Sequence, residues 1–520
     1  MKAIHSRIWL LFVVPALFVF AACTAAPAAS PSGETSSEAT GDAGATAVVP
    51  ELIIAQTAEI PTMDGQLDWT MIGRNIYYQM YGYLTRHDET MTVVPELAES
   101  WEWVDDLTMR WHLREGVTFH NGEPFNAEAV KFSLERILDE ETGAPWRASL
   151  VNWLDRVEVV DEYTVDVISK FPTVSQLLEV GRMPMVPPQY IQEVGNEGFA
   201  ANPIGAGPFE FVEWIKGDRV VLERNEEYWS GAPAVERLIF RVIPEATTAL
   251  AEIEAGTVDI ATIPPEACGA LEGNAYSHCV SARSIQNVRI SFTKGMEDVK
   301  LRQAIAHAIN VDSIIENIMG GQAVKSIGPL SQLVWGSSDD LPGYAYDPEL
   351  AQSLLAEAGI DPATLNIPLN FAEGRIQKGR EVAEAIAADL AKIGIAVELR
   401  PAEYGVWFDS FYGGEMEGMS LSASTATTGD PNQMFRDYLS ASCIGYFCSE
   451  ELDSYLVPVT EVVEPEARLP LVQAAESYLF DEVLWLPLYD VDLIYGVSNK
   501  VDWAPVPNDI KWFAAAQPGE

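Results

Sequence analysis

Residues 365–401 read as strand, helix, strand: LNIPLNF, then REVAEAIAADLAKIG, then IAVELRP. Val382, Ile386, Leu390 and Ile393 make one apolar stripe on the helix, and Gly394 ends it. Two strands joined through a helix lie parallel in a common sheet, which excludes a fold built from hairpins alone. The arrangement occurs a second time upstream, where RLIFRVI leads through EATTALAEIEAG, closed by Gly256, into TVDIATI. Two such units far apart in the chain predict an α/β protein with two lobes.

Three helices are predicted between the units. DVKLRQAIAHAIN carries Leu301, Ala304, Ile305, Ala308 and Ile309 at helical spacing. VDSIIENIMGG has Asp312 as its expected N-cap, and DPELAQSLLAEAG has Asp347 as N-cap, Pro348 at the first helical position and Gly359 past the end. Upstream, ESWEWVDDLTMRWHL alternates around an Asp-Asp turn and predicts a hairpin with Leu107, Met109, Trp111 and Leu113 on one face. Behind it, NAEAVKFSLERIL predicts a helix capped by Asn126, with Val130, Leu134, Ile137 and Leu138 facing inward, and EYTVDVIS a further strand. Residues 81–203 therefore form an α+β unit. No repeat of fixed period is present, which excludes a solenoid or propeller.

The N-terminus has another texture. An apolar run from Ile8 to Ala22, broken at Pro15, follows Lys2 and Arg7 and stops at Cys23. As a helix it would reach roughly 22 Å, short of the ~30 Å of a bilayer core, so it has the layout of a cleaved export signal. The small pair Ala21 and Ala22 before the cysteine resembles the lipobox of bacterial lipoproteins, where the cysteine is acylated and becomes the new N-terminus. Phe20 stands where leucine is usual. Residues 24–50 are almost all Ala, Pro, Ser, Thr, Gly and Glu, a composition that predicts a flexible tether. The expected mature protein is held to the outer face of a membrane, or in a periplasm, through Cys23.

After export, 32 basic residues less Lys2 and Arg7 stand against 77 acidic ones, a net charge of −47. That field repels nucleic acid and excludes it as a partner. Four cysteines remain, Cys268 with Cys279 and Cys443 with Cys448 in two local groups. Their even number and close spacing in an exported chain suggest two local disulfides, although three connectivities are possible. Neither spacing is that of a redox or zinc pair. The histidines do not cluster at ligand spacing, so no metal site and no cofactor are expected.

Four segments carry a family resemblance: PELAESWEWVDDLTMRWHLREGVTFHNGEPFNAEAVKFSLERI, NPIGAGPFEFVEWIKGDRVVLERNEEYW, VKLRQAIAHAINVDSII and YDPELAQSLLAEAG. They resemble, in order and across nearly the whole chain after residue 51, the extracytoplasmic solute-binding proteins that serve ABC importers of peptides, nickel and related ligands (family 5). The resemblance implies a two-lobed periplasmic-binding-protein fold, the large three-subdomain form of type II, with mixed sheets and a hinge. Residues 51–80, 204–285 and 486–520 would build lobe I, 81–203 a subdomain attached to it, and 286–485 lobe II, with 1–22 the signal peptide and 23–50 the anchor and tether. It further implies a monomer that delivers a small solute to permease and ATPase subunits and catalyses nothing.

Ligands of open α/β sheets lie beyond the carboxyl ends of the strands. In the second lobe that position selects AEGRIQKGR, where Arg375 and Lys378 precede a helix and suit an anion. It also selects the hydroxyl-rich STATTGDPNQMF, with Thr427, Thr428 and Asp430. In dipeptide-binding members the position of Thr427 holds an aspartate that pairs with the ligand amino group, and that of Ser424 a tryptophan, so a simple dipeptide is a poor fit. Tyr404, Trp407 and Tyr412 could stack on a ring or apolar side chain. Trp69 follows TMDGQLD, which resembles the family's first cleft segment. The runner-up class, a lipid-anchored hydrolase, would need chemistry that the chain does not display: G-x-S-x-G, H-E-x-x-H and a P-loop are all missing. A receptor for sensing rather than import is the third possibility.

Overall fold

The two predicted crossover units belong to one sheet. The computed structural model describes residues 48–519 except 442, 444 and 445, so the expected signal peptide, Cys23 and the tether to residue 47 lie outside the described residues. Val49 is buried and bridges Val235, which starts the folded body slightly before the expected boundary at residue 51. Residues 47–520 cluster as one unit.

The sheet has eleven strands. From one edge the order is Ala396–Ala402, Asn366–Ala372, Met419–Thr425, Ser277–Phe292, Trp485–Ser498, Ile260–Thr262, Leu52–Gln56, Arg237–Val242, Arg219–Arg224 and Phe209–Ile215, with Ala323–Lys325 also on Trp485–Ser498. Strand 366–372 runs parallel to both of its neighbours, and so does strand 52–56. The two long strands, 277–292 and 485–498, are antiparallel and join these parallel groups. Their pairing slips between Arg283 and Asn287, where the chain passes from one group to the other. Just beyond the slip, the buried Asp490 carboxylate accepts from Asn287 Nδ2 (3.0 Å), Ser326 Oγ (3.3 Å) and Ser331 Oγ (2.8 Å), which ties the two strands at the crossing.

Three large apolar clusters follow this division. One gathers Val382, Ile386, Leu390 and Ile393 with Val288, Ile290, Leu369 and Leu421, and takes in the stripe of the 299–308 helix. A second packs Leu52, Ile54, Phe209, Leu238 and Ile260 against Tyr77 and Tyr81 of the helix Met71–Met80. The third fills the 81–203 region, where Ala98–Asp105, Thr108–Leu113, Thr164–Ser169 and Leu154–Asp161 form a four-stranded antiparallel sheet under the helix Ala127–Leu138.

Local chemistry explains most boundaries. Asn126 accepts from Ala129 N, and Asp347 accepts from Leu350 N ahead of Pro348, as expected of N-caps. Asp312 does not cap its helix. Asn310 does, accepting from Ser313 N at 3.0 Å, because the helix starts at Val311; Asp312 instead pairs with Lys325 at 2.8 Å. Leu107 is also misplaced: it lies in the hairpin turn and is exposed, while Met109, Trp111 and Leu113 point inward.

The NPIGAGPF segment has a steric reason. A Cβ on Gly205 would meet Met80 O at 2.0 Å, and one on Gly207 would meet Met80 C at 2.6 Å, so this turn can press on the 71–80 helix only without side chains. His120 stitches the contact: Nε2 donates to Gly207 O (3.0 Å), and Nδ1 accepts from Gly205 N (3.3 Å). Burial holds its imidazole down at about 4, so it is neutral and can do both.

Candidate functional site

Strands 366–372, 396–402 and 419–425 end on the same side of the sheet. The loops that leave them run to Gly379–Lys392, to Tyr404–Tyr412 and to the short helix Asn432–Phe435. A cavity of about 50 Å³ lies at these ends, lined by Ala372, Arg375, Ile376, Tyr404, Trp407, Tyr412, Leu421, Ser422 and Ala423.

The aromatic wall comes from the 404–412 helix. Trp407 is buried, donates from Nε1 to Ser420 Oγ (3.1 Å) and stacks on Phe411. Its ring is fixed as framework. Tyr404, stacked on Trp407, and Tyr412 stay exposed. Arg375 is exposed too, its guanidinium 5.9 Å from the Tyr404 ring centroid, and among the described residues it has no acidic partner. Lys378 is less free than expected: Glu266, from the other strand group, holds its Nζ at 3.1 Å.

The hydroxyl-rich loop makes contacts that the sequence does not announce. Arg182 Nη1 donates to Thr427 Oγ1 at 3.1 Å, and that hydroxyl donates in turn to Gln433 Oε1 at 3.2 Å. His87 Nε2 donates to the Thr428 carbonyl at 2.9 Å, and Asn432 Nδ2 to Ser175 Oγ at 3.2 Å. Thr428 is itself buried, with no partner for its hydroxyl. Residues 426–432 are thus clasped by the 81–203 region through Arg182, His87 and Ser175. Nothing in GRMPMVPP or TRHDET marks these residues, since their partners lie hundreds of positions away.

Asp430 takes no part in the clasp. Its carboxylate accepts from Arg468 Nη1 (2.5 Å) and Nη2 (2.6 Å) and from Asn432 N (2.8 Å), with both side chains buried. Three hydrogen bonds commit its oxygens to holding the turn. Trp69 is exposed at 53 % and meets Trp146 edge-on, while the guanidinium of Arg182 lies 5.2 Å from the Trp146 ring. Trp146 Nε1 donates to Gly65 O and Asp68 O, which fixes the TMDGQLD turn. Trp69 therefore stands beside the clasp, while Arg375, Tyr404 and Trp407 surround the cavity.

The clasp is sensitive to protons. Burial holds the His87 imidazole down at about 4, with Arg182 and Arg74 lowering it further and the Thr428 carbonyl and Asp88 acting the other way. Parting the loops returns it toward its ordinary ~6.5. Between those values the parted form binds the extra proton, so the clasped form is fully favoured above pH ~6.5 and loses ground as pH falls toward 4. Affinity for a captured solute should drop roughly tenfold or more from pH 7 to pH 5. His87→Gln, which keeps a donor for Thr428, should flatten that profile in calorimetric titrations; an unchanged slope would clear His87 of the effect.

The sulfur atoms of Cys268 and Cys279 are joined, as are those of Cys443 and Cys448, with Cα separations of 5.2 and 5.7 Å. Among the described residues no group of three His, Cys, Asp or Glu side chains is placed to hold a metal ion.

The profile of bacterial extracellular solute-binding proteins, family 5 Middle, matches residues 92–446. Di/tripeptide-binding protein 2 of Pseudomonas aeruginosa is 28 % identical over 435 residues, 76 % of this chain and 81 % of that protein. Heme-binding protein A of Haemophilus influenzae is 28 % identical over 472 residues, 84 % of each. The solved structure of HbpA2 from Haemophilus parasuis superposes with a TM-score of 0.80 at 23 % identity, over 90 % of this chain and all of that one.

Proposed function

Because the chain belongs to the bacterial extracellular solute-binding proteins of family 5, which bind solutes and do no chemistry on them, we propose that it captures a peptide-like solute between its lobes and passes it to an ABC import permease. Residues 51–80, 204–285 and 486–520, with the 81–203 subdomain, act as one jaw and 286–485 as the other. One observation carries this reading: direct hydrogen bonds from Arg182, His87 and Ser175 of one jaw to loop 426–435 of the other, beside a cavity that presents the exposed side chains of Arg375 and Tyr404. A solute touching both jaws favours the clasped form by its extra contacts there, and the permease responds to that population. Arg375 would take a carboxylate, Tyr404 and Tyr412 a side chain, and Trp69 the far end. Acylated Cys23 and the tether through residue 50 would hold the protein at the membrane within reach of the permease.

Native mass spectrometry of the mature protein, before and after denaturation, tests the proposal. A released small molecule of unchanged chemistry, together with a smaller radius of gyration when it is added back, is expected. Conversion of the solute into product, or the lack of any solute-dependent change in radius, overturns it. Cys23→Ser should abolish incorporation of labelled fatty acid.

A further inference from the structure

The described residues include five buried arginines: Arg74, Arg136, Arg289, Arg302 and Arg468. Arg136 is paired with Asp64, Arg468 with Asp430, and Arg302 with Glu482 and four backbone carbonyls. Arg74 rests on Met71 Sδ and the rings of Tyr78 and Trp146. Arg289 differs from the three paired arginines and goes further than Arg74, whose Nε alone lacks an acceptor. It is 9 % exposed, and among the described residues neither Nε nor Nη1 has an acceptor. A chain with 77 acidic residues does not lack carboxylates to spend on it.

Its position shows what those nitrogens face. Arg289 lies on strand 277–292, directly across from Ser422 of strand 419–425 and from Pro487 of strand 485–498. Side chains directly opposite in a sheet share one face. Ser422 lines the cavity that holds Arg375, and Arg289, its cross-strand neighbour, stands beside that cavity without lining it. Trp485 flanks the guanidinium, its ring centroid at 4.8 Å, and Tyr438 lies at 6.0 Å. These rings keep the group dry and hold it flat. Ser291 and Ser422, hydrogen-bonded to each other at 2.9 Å, add hydroxyls on the same face. The groups that feel its charge are Tyr412, Tyr438 and Asp437; burial raises all three, and Arg289 partly offsets it. Asp437 answers first to Arg436, and no hydrogen bond joins it to Arg289.

An unpaired buried guanidinium weakens the folded state, and an anion is the partner that would offset the cost. We propose that Arg289 binds an anionic group of the solute, so that with Arg375 at the rim the protein selects peptide-like solutes carrying a second carboxylate besides the terminal one. This rests on the solute-capture reading above. The dry site and the fixed guanidinium plane favour a bidentate carboxylate, and the neutral amide of the same shape leaves the charge unmet.

The test is calorimetric titration of di- and tripeptides in matched pairs, Ala-Glu against Ala-Gln and Ala-Ala-Glu against Ala-Ala-Gln, with wild type, Arg289→Gln and Arg289→Lys. The Glu form should bind the wild type at least about tenfold tighter, Arg289→Gln should bring the ratio to about 1, and Arg289→Lys should keep part of it. The solute-free Arg289→Gln protein should melt at or above the wild-type temperature. A guanidinium present only to pack on Trp485 predicts a lower melting temperature, and that result overturns the proposal. So does an equal affinity of the Glu and Gln forms for the wild type, or a ratio kept in Arg289→Gln. If no peptide of the panel binds the folded wild type, the peptide-capture reading fails and takes this inference with it, a result distinct from binding without discrimination.

Discussion

Replacing Asp430 with asparagine should lower the unfolding free energy by about 3–5 kcal/mol, because it strands a buried guanidinium. Arg468 loses its counter-charge and one acceptor of a bidentate pair at 2.5 and 2.6 Å, keeping the asparagine Oδ1 and the Val459 carbonyl at 2.7 Å. Urea unfolding of the two proteins measures the difference. Arg468→Met should be similarly costly through the opposite defect, a buried carboxylate without its cation. The double variant should be less damaged than the sum of the two, since it removes both charges together. Equal stability of Asp430→Asn and wild type, with loss of solute affinity alone, would return Asp430 to the binding site. The structure favours the stabilising role: the pair pins loop 426–431 to the helix Pro465–Glu482 and so sets where Thr427 meets Arg182 and Thr428 meets His87.

Arg375→Ala should reduce affinity for a carboxylate-bearing solute by about 10- to 150-fold, the value of a charge-assisted hydrogen bond worth about 1.5–3 kcal/mol. Stability should stay within about 0.5 kcal/mol, because the side chain is exposed and rests against the ring of Tyr404 without an ion pair among the described residues. Lys378→Ala is the matched comparison. That lysine sits three residues on but is engaged by Glu266, so its loss should change affinity far less. Titration of Ala-Glu into the three proteins measures both effects. Equal losses at the two positions would point to a diffuse field rather than a specific contact, and no loss at Arg375 would move the anion site elsewhere.

The elements most readable from the sequence were those whose cause is local. Val382, Ile386, Leu390 and Ile393 announce a buried helix face because burial and helical period coincide, and all four are essentially inaccessible. Asn126 and Asp347 announce helix starts because a cap acts three residues away. At VDSII the same rule selected Asp312, but the helix already starts at Val311 and its cap is Asn310, one residue before that segment. Polar side chains inside the cleft follow no such period. Asp430 in an Asp-Pro turn looks the same whether it faces a solute or Arg468, 38 positions along the chain. Arg182, His87 and Arg289 sit in unremarkable stretches, and their roles come from partners brought over by the fold. The strand-end rule selected loops whose residues Arg375, Tyr404 and Trp407 line one cavity; which side chains in them stay free is a property of tertiary pairing.

The crossing at residues 287 and 490 has one more consequence. Asn287 and Asp490 face each other on adjacent strands and are joined by a hydrogen bond, yet about 200 positions of chain lie between them. Everything in that excursion departs and returns through a gate one strand-spacing wide, ~5 Å. Its two ends could therefore be spliced by a short turn, leaving a self-contained insert and a shortened host whose cut edges already touch, as expected of a segment that evolution could graft or exchange whole.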